Sequence, residues 1–273
     1  MSTTTIAPPR PVSGSGLNIG RIIRSEWIKL RSLRSTVWSY AIVVVVSLGL
    51  AYVLASALGN SEFGPLIDSP ERTLIQAATF GSTFGVLVVA VLGVLVISGE
   101  YSTGMARSTF TAVPKRLPAL AAKAIVLFIA TFVVGIVSVG GSAIVGLVVL
   151  GANGIEPQNT TEVITSLLLA CLYLSLVSVF ALAFGTILRS SAGGIAAALG
   201  VLLLLPTILT VFASVTQAQW AIDLVPLMLT TAGEGMILPT EGGLELWQSI
   251  LTVALWAIVP LVGGALLLKR RDA

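Results

Sequence analysis

The chain has 273 residues, 56% of them hydrophobic before glycine is counted and only 10% charged, with a net charge of +3 and a mean hydropathy of +1.01. About a quarter of an ordinary soluble domain is charged, so a chain of this length cannot hide that much apolar surface and must use lipid as part of its solvent. The single cysteine, Cys171, excludes an internal disulfide framework and a thiolate metal cluster, and the lack of histidine removes the commonest general base and zinc ligand.

Residues 1–16, rich in Pro, Ser, Thr and Gly, read as a disordered tail. The segment 17–36, LNIGRIIRSEWIKLRSLRST, is different. On a helical wheel Ile19, Ile22, Ile23, Trp27, Leu30 and Leu33 share one face, while Arg21, Arg24, Lys29, Arg31 and Arg34 lie around the other; Ile28 breaks the pattern. The periodicity predicts an amphipathic helix lying in the cytoplasmic interface, its Trp27 in the lipid and Arg24, Lys29 and Arg31 toward anionic headgroups or a partner. A basic anchor that only fixes topology accounts for the charge equally well, but not for the apolar spacing.

A helix needs about 20 apolar residues to cross the hydrocarbon layer. Six segments between residues 37 and 268 qualify: Val37–Leu58, Leu74–Ser98, Ala124–Leu150, Val163–Leu188, Ala192–Val215 and Leu246–Leu268. None contains Asp, Glu, Lys or Arg, and the runs are continuously apolar rather than alternating, which disfavours barrel strands. Several exceed the minimum, so tilt or extension beyond the lipid is expected. Ala55-Ser56-Ala57 resembles a signal-peptide cleavage site, but the apolar run before it is too long for a signal sequence, and the first span is expected to be retained.

Basic residues fix the orientation. Fourteen of the 15 fall on one side, in the N-terminal segment, the second-to-third connection, Arg189 and the tail 269–273; the other side has Arg72 against nine acids. Both termini are therefore predicted to be cytoplasmic, with the protein in the cell membrane. Asn159-Thr160-Thr161 on the outer side is a weak glycosylation signal. The outer connection 216–245 contains WAIDLVPLMLTTAGEGMILP, too short and too interrupted by Pro and Gly to cross. Short re-entrant helices around Trp220, Leu224 and Pro226 fit it, and so does simple packing on the outer ends of the spans. Within the spans, Gly81-xxx-Gly85 and Ser142-xxx-Gly146 permit close helix approach, and Pro206 should kink the fifth.

Every carboxylate lies outside the six cores, which argues against a carboxylate proton relay. There is no HExxH, no Ser–His pair and no G-x-x-x-x-G-K-[ST], so the chain is expected to be no enzyme, with no metal and no cofactor of its own. If it moves anything uphill, the energy comes from a separate protein. Nucleic acid is not an expected partner; membrane lipid is.

One polar stretch stands out between spans two and three: GEYSTGMARSTFTAVPKR, Gly99–Arg116, with Glu100, Arg107, Lys115 and Arg116. Met105, Ala106, Thr109, Phe110, Ala112 and Val113 occupy one arc of a wheel, and Arg107, Ser108 and Thr111 the other. A short cytoplasmic helix parallel to the membrane, closed by Pro114, would offer Arg107 to a docking subunit; the alternative is a solvated positive-inside loop. Glu100 is expected to cap that helix or to pair with a nearby cation.

The segments Ser25–Tyr40 and Ile97–Lys123 resemble the permease subunits of type 2 ATP-binding-cassette (ABC) exporters, in the versions common in high-GC Gram-positive bacteria. The most specific part is the series Glu100, Gly104, Pro114 and Arg116, which matches the family's E-x-x-x-G pattern and its closing Pro-x-Arg. The resemblance implies an all-α membrane protein with an interfacial helix, six spans, a coupling helix (Glu100, Gly104, Met105, Arg107, Phe110, Pro114, Arg116) and outer helices forming a lid at Trp220, Leu224 and Pro226. It further implies a second permease chain, identical or not, and a cytoplasmic ABC ATPase that holds ATP and Mg. The path is expected along the permease dimer interface near spans one, two and five. Ser82, Thr83 and Ser138 among aliphatic side chains suit a hydrophobic or amphiphilic cargo such as a drug, lipid or peptide. A six-span scaffold or regulatory partner with no path of its own is the competing reading.

Overall fold

The computed structural model describes residues 18–59, 69–102, 104, 116–240 and 242–270. The predicted tail 1–16, the last residues 271–273, and Met105, Arg107, Phe110 and Pro114 of the predicted coupling helix lie outside the described residues. Among the described residues there is no strand.

Asn18 starts α1 (Ile19–Ser32), its side-chain oxygen accepting from the Gly20 N–H at 3.2 Å. There follow α2 (Arg34–Gly59), α3 (Pro70–Ser102), α4 (Arg116–Ala152), α5 (Thr160–Leu188), α6 (Ser191–Thr216), α7 (Gln219–Leu224), α8 (Leu229–Ile237) and α9 (Leu246–Arg270). A short 3-10 turn, Val225–Leu227, joins α7 to α8. Six of these helices, α2 to α6 and α9, are long and apolar enough to cross a membrane, as the hydropathy pattern predicts. The chain is an all-α integral membrane protein.

The helices do not share burial equally. α3, α4 and α5 form the centre, with α5 the most enclosed; α2, α6 and α9 lie at the periphery with most of their apolar surface uncovered. Small residues set the central spacing. A Cβ on Gly93 of α3 would lie 2.4 Å from the Ser178 carbonyl oxygen of α5, and one on Gly81 would lie 2.3 Å from Ser47 Cα of α2. Gly85 faces Val43 in the same seam, and Gly146 faces Leu74, so the predicted small-residue pairs serve packing within the chain. Tyr40 and Thr131 share a hydroxyl–hydroxyl bond of 2.9 Å between α2 and α4.

Successive spans alternate in direction, which gives the bundle two chemically distinct ends. The basic end gathers α1, the last turn of α3, the first turns of α4 and the α5–α6 turn. There Arg189, in the left-handed region with φ 52°, stacks on the Tyr101 ring at 5.3 Å, and Ser191 bonds Ser98. At the acidic end Glu71 accepts the backbone N–H groups of Gln158 and Asn159, and Asn159 itself caps α5. The α3 and α4 helices, of 33 and 37 residues, are about 50 and 55 Å long, well beyond a hydrocarbon layer of about 30 Å. The surplus on both carries charged residues out past the apolar runs.

Pro206 has no N–H to give to the preceding turn. The helix accommodates this by widening into a π turn over Gly200–Leu204, where the Leu205 N–H reaches back to the Gly200 carbonyl. Beyond it, the second half of α6 stands clear of the central helices, touching mainly α7 and α8.

Gly93→Val tests the α3–α5 seam. Overpacking a contact of this kind costs about 1–3 kcal/mol, so the variant should unfold at a lower temperature than the native chain in the same detergent. Gly49→Ala in α2, where an added Cβ meets nothing within 4 Å, should leave that temperature unchanged.

Candidate functional site

Two constellations stand apart from the packing, one at each end of α3. At the basic end four charged side chains from three helices meet. Lys123 Nζ of α4 donates to Glu26 Oε2 of α1 at 2.6 Å and to Glu100 Oε1 of α3 at 2.9 Å. Lys29 Nζ of α1 donates to Glu26 Oε1 at 2.7 Å and to the same Glu100 oxygen at 3.1 Å. Two acids and two bases thus alternate around a closed ring. Glu26 and Lys123 are almost wholly buried, their side chains 4% and 6% exposed, while Lys29 at 29% reaches toward the surface.

Local structure explains each placement. Ile22, Glu26 and Leu30 recur every fourth residue and form the buried stripe of α1; Ile22 packs on Ala119 and Ala122 of α4. Lys123 follows those alanines on the same buried face of α4. Glu100 lies in the last turn of α3, where a negative charge opposes the helix dipole and gains from two cations. Gly104 ends that helix: its N–H reaches the Tyr101 carbonyl and its φ is +72°, a conformation that glycine adopts without strain. Among the described residues nothing lies within 4 Å of a Cβ there, and it is the backbone conformation that demands the glycine. The Glu100–Gly104 spacing therefore joins a charge in the final helical turn to the residue that terminates it. Ser102 bonds the Gly99 carbonyl inside α3.

Of the sequence-predicted residues, Lys29 turns inward to the ring, whereas Arg24, Arg31 and Trp27 are exposed. Glu100 pairs with cations, one of its two expected roles. Arg116 opens α4. The sequence reading missed Glu26 and the burial of Lys123. Glu26 was visible as an acid lying between Ile22 and Leu30 on the apolar arc, and Lys123 as a cation among alanines and leucines. A cavity of about 330 Å³ adjoins the ring, bounded also by Ser35, Leu95, Gly99 and Val126.

Burial raises the Glu26 pKa, but the adjacent Lys123 and then Lys29 outweigh it and hold the carboxyl below its ordinary 4.5. Burial lowers the Lys29 pKa, but Glu26 and Glu100 outweigh that and hold it above its ordinary 10.5. The Glu26 contribution is present above pH 4.5 and is lost as pH falls through the lowered folded value. The Lys29 contribution is present below pH 10.5 and is lost as pH rises through the raised one.

At the acidic end a cleft of about 920 Å³ opens between α2, α3, α6 and α8. Gln76, Phe80, Thr83 and Leu87 form the α3 wall at helical spacing; Leu203, Thr207 and Thr210 face them from α6, and Leu54 and Leu58 from α2. α8 supplies Thr231, Glu234 and Ile237. α8 is held against the bundle by Gly233, whose missing Cβ would lie 2.2 Å from the Tyr173 ring, and by buried Leu229 and Met236. The Trp256 indole N–H of α9 donates to the Leu227 carbonyl at 2.8 Å and fixes the turn before it. Trp220 rests on the Phe212 ring at 5.3 Å and Leu224 is exposed; neither they nor Pro226 line the cleft. Of the three hydroxyls picked from the sequence, Ser82 and Thr83 line it, while Ser138 is buried against the Gly135 carbonyl.

A six-span helical bundle with a basic amphipathic helix docked at one end and a cleft at the other defines a polytopic membrane protein. The family model described as ABC-2 family transporter protein matches residues 22–199, from the first turns of α1 to the edge of the π turn in α6. That is well over half of the chain, and the chain belongs to this family: it is the membrane permease of an ABC transporter. No curated protein matches it.

Glu26→Gln removes one acid from the ring and should cost about 3 kcal/mol, the lower end for a broken buried pair because Glu100 still holds both lysines. Glu26→Met with Lys123→Met leaves Lys29 and Glu100 paired and should fall within about 1 kcal/mol of the native chain. Thermal unfolding in detergent checks both. The difference between native and Glu26→Gln should shrink as pH is taken below 4.5.

Proposed function

We propose that this permease forms the path of an ATP-driven exporter of hydrophobic or amphiphilic molecules in the cell membrane, with the basic end cytoplasmic and the acidic end outside. The excess of Lys and Arg at the basic end supports that orientation. The chain hydrolyses nothing itself. A separate ABC ATPase holds ATP and Mg and docks on the segment from Glu100 to Arg116 and on the outward face of α1 with Arg24 and Arg31. A second permease chain completes the path along the exposed surfaces of α2 and α6.

The observation that carries this reading is that one helix serves both ends. α3 presents Glu100 to the charge ring at the basic end and Gln76, Phe80 and Thr83 to the cleft, about 26 to 36 Å away at 1.5 Å per residue. Its centre is locked to α5 at Gly93 and to α2 at Gly81. A push on the Gly99–Arg116 segment would therefore be delivered to the cleft wall as a movement of a stiff rod. The cleft also lies among the first, second and fifth spans, the three that the resemblance associates with the path.

Affinity purification of the tagged chain from its native membrane in mild detergent, followed by mass spectrometry and an ATPase assay, tests the proposal. A P-loop ATPase should co-purify in stoichiometric amount. It should be lost on Arg107→Glu or Glu100→Lys while the variant stays in the membrane at native abundance. Recovery of no ATPase, under conditions that preserve a known exporter complex, would return the chain to the reading of a six-span scaffold.

A further inference from the structure

The cleft at the acidic end is lined by hydroxyls, one amide, two charged side chains and apolar walls. Hydroxyl groups have one proton to donate and two lone pairs to accept with. Thr79 has given its proton to the Ile75 carbonyl at 2.7 Å, and Thr207 has given its own to the Leu203 carbonyl at 2.6 Å. What both retain is acceptor capacity. Ser82, buried to 4% exposure on the cleft wall, has no hydrogen-bond partner on its hydroxyl among the described residues.

The two charges in the cleft are committed differently. Two ionisable side chains of opposite sign, Arg72 and Glu234, line the cleft. The Arg72 guanidinium is engaged by the Pro239 carbonyl. The Glu234 carboxylate has neither hydrogen bond nor ion pair among the described residues, and burial raises its pKa above the ordinary carboxylate value, so its charge is costly until a cation meets it. It stands beside the Tyr173 ring that packs on Gly233, opposite Phe80 and Leu203. An unpaired carboxylate among hydroxyls, two aromatic rings and apolar walls favours a ligand that carries a positive charge on an apolar body.

We propose that this cleft binds an amphiphilic cation, with the Glu234 carboxylate as its counter-charge and the α3 and α6 walls around its apolar body. The proposal rests on reading the cleft as part of the transport path and narrows the cargo to one charge type.

Two ions of nearly the same shape and opposite charge test it: tetraphenylphosphonium and tetraphenylborate, measured by equilibrium binding to the full chain purified in detergent. Tetraphenylphosphonium should bind saturably and at least about tenfold more tightly than tetraphenylborate, a difference of about 1.4 kcal/mol. Glu234→Gln should weaken the cation by about tenfold, and Glu234→Asp, which keeps the charge, should stay within about threefold of native. Binding of neither ion, equal or tighter binding of the anion, or an unchanged cation affinity in Glu234→Gln would overturn the proposal. Should Glu234→Gln fail to fold, the cation–anion preference of the native chain decides alone. Binding is read with no ATPase present, so its failure leaves the transporter reading standing, and failure to recover an ATPase leaves the binding result intact.

Discussion

The ring of Glu26, Lys123, Glu100 and Lys29 is the interaction on which the basic end depends. Burying a carboxylate and an ammonium at the edge of an apolar bundle is expensive unless each meets an opposite charge at hydrogen-bonding distance. Here each acid meets both bases and each base meets both acids, at 2.6–3.1 Å. Because the four groups come from α1, α3 and α4, no one of these helices can slide or rotate without breaking two contacts. The ring thus does for polar groups what Gly81 and Gly93 do for apolar ones: it permits a single arrangement.

The two kinds of constraint divide the molecule. Where glycine and serine let backbones touch, as between α3 and α5, packing is dense and the helices behave as one body. Where bulky aliphatic side chains point outward and the helix leaves the centre, as in the second half of α6, little inside the chain holds it. The cleft lies along the boundary between these regimes. One wall belongs to the firm centre and the facing wall to the loosely held second half of α6, and that is the geometry a volume-changing cavity needs.

How much of this was legible in the sequence depended on the length scale of the signal. Six apolar runs, each near 20 residues or longer, survive any uncertainty of a few positions, and all six spans appear. The helix 19–32 followed from periodicity alone. The charge ring did not, because its contacts between helices join residues 23 to 97 positions apart and only the fold brings them together. Glu26 carried a local warning, as an acid on the apolar arc, but Lys123 looked like one more positive-inside charge. The cleft was still harder to read. Thr79, Thr207 and Glu234 have no common motif, and Glu234 looked like one of nine acids on its side until α8 folded it against Tyr173. A kink was expected at Pro206; what the structure shows is a π turn over Gly200–Leu204 just before the proline.

That π turn has a consequence for inheritance as well as for shape. A π turn is one residue more than the α-helix requires, so everything after Leu204 is phased as though a residue had been inserted. Thr207, Thr210 and Val211 face the cleft only because of that extra step. Loss of any one codon within Gly200–Leu204 would remove that step, swing those side chains by about 100° and press the Pro206 ring into the preceding turn. The family match ends at Leu199, just before this register shift begins. Point substitutions can then tune the lining of the wall gradually, while length changes at this one place would exchange the whole lining at a stroke.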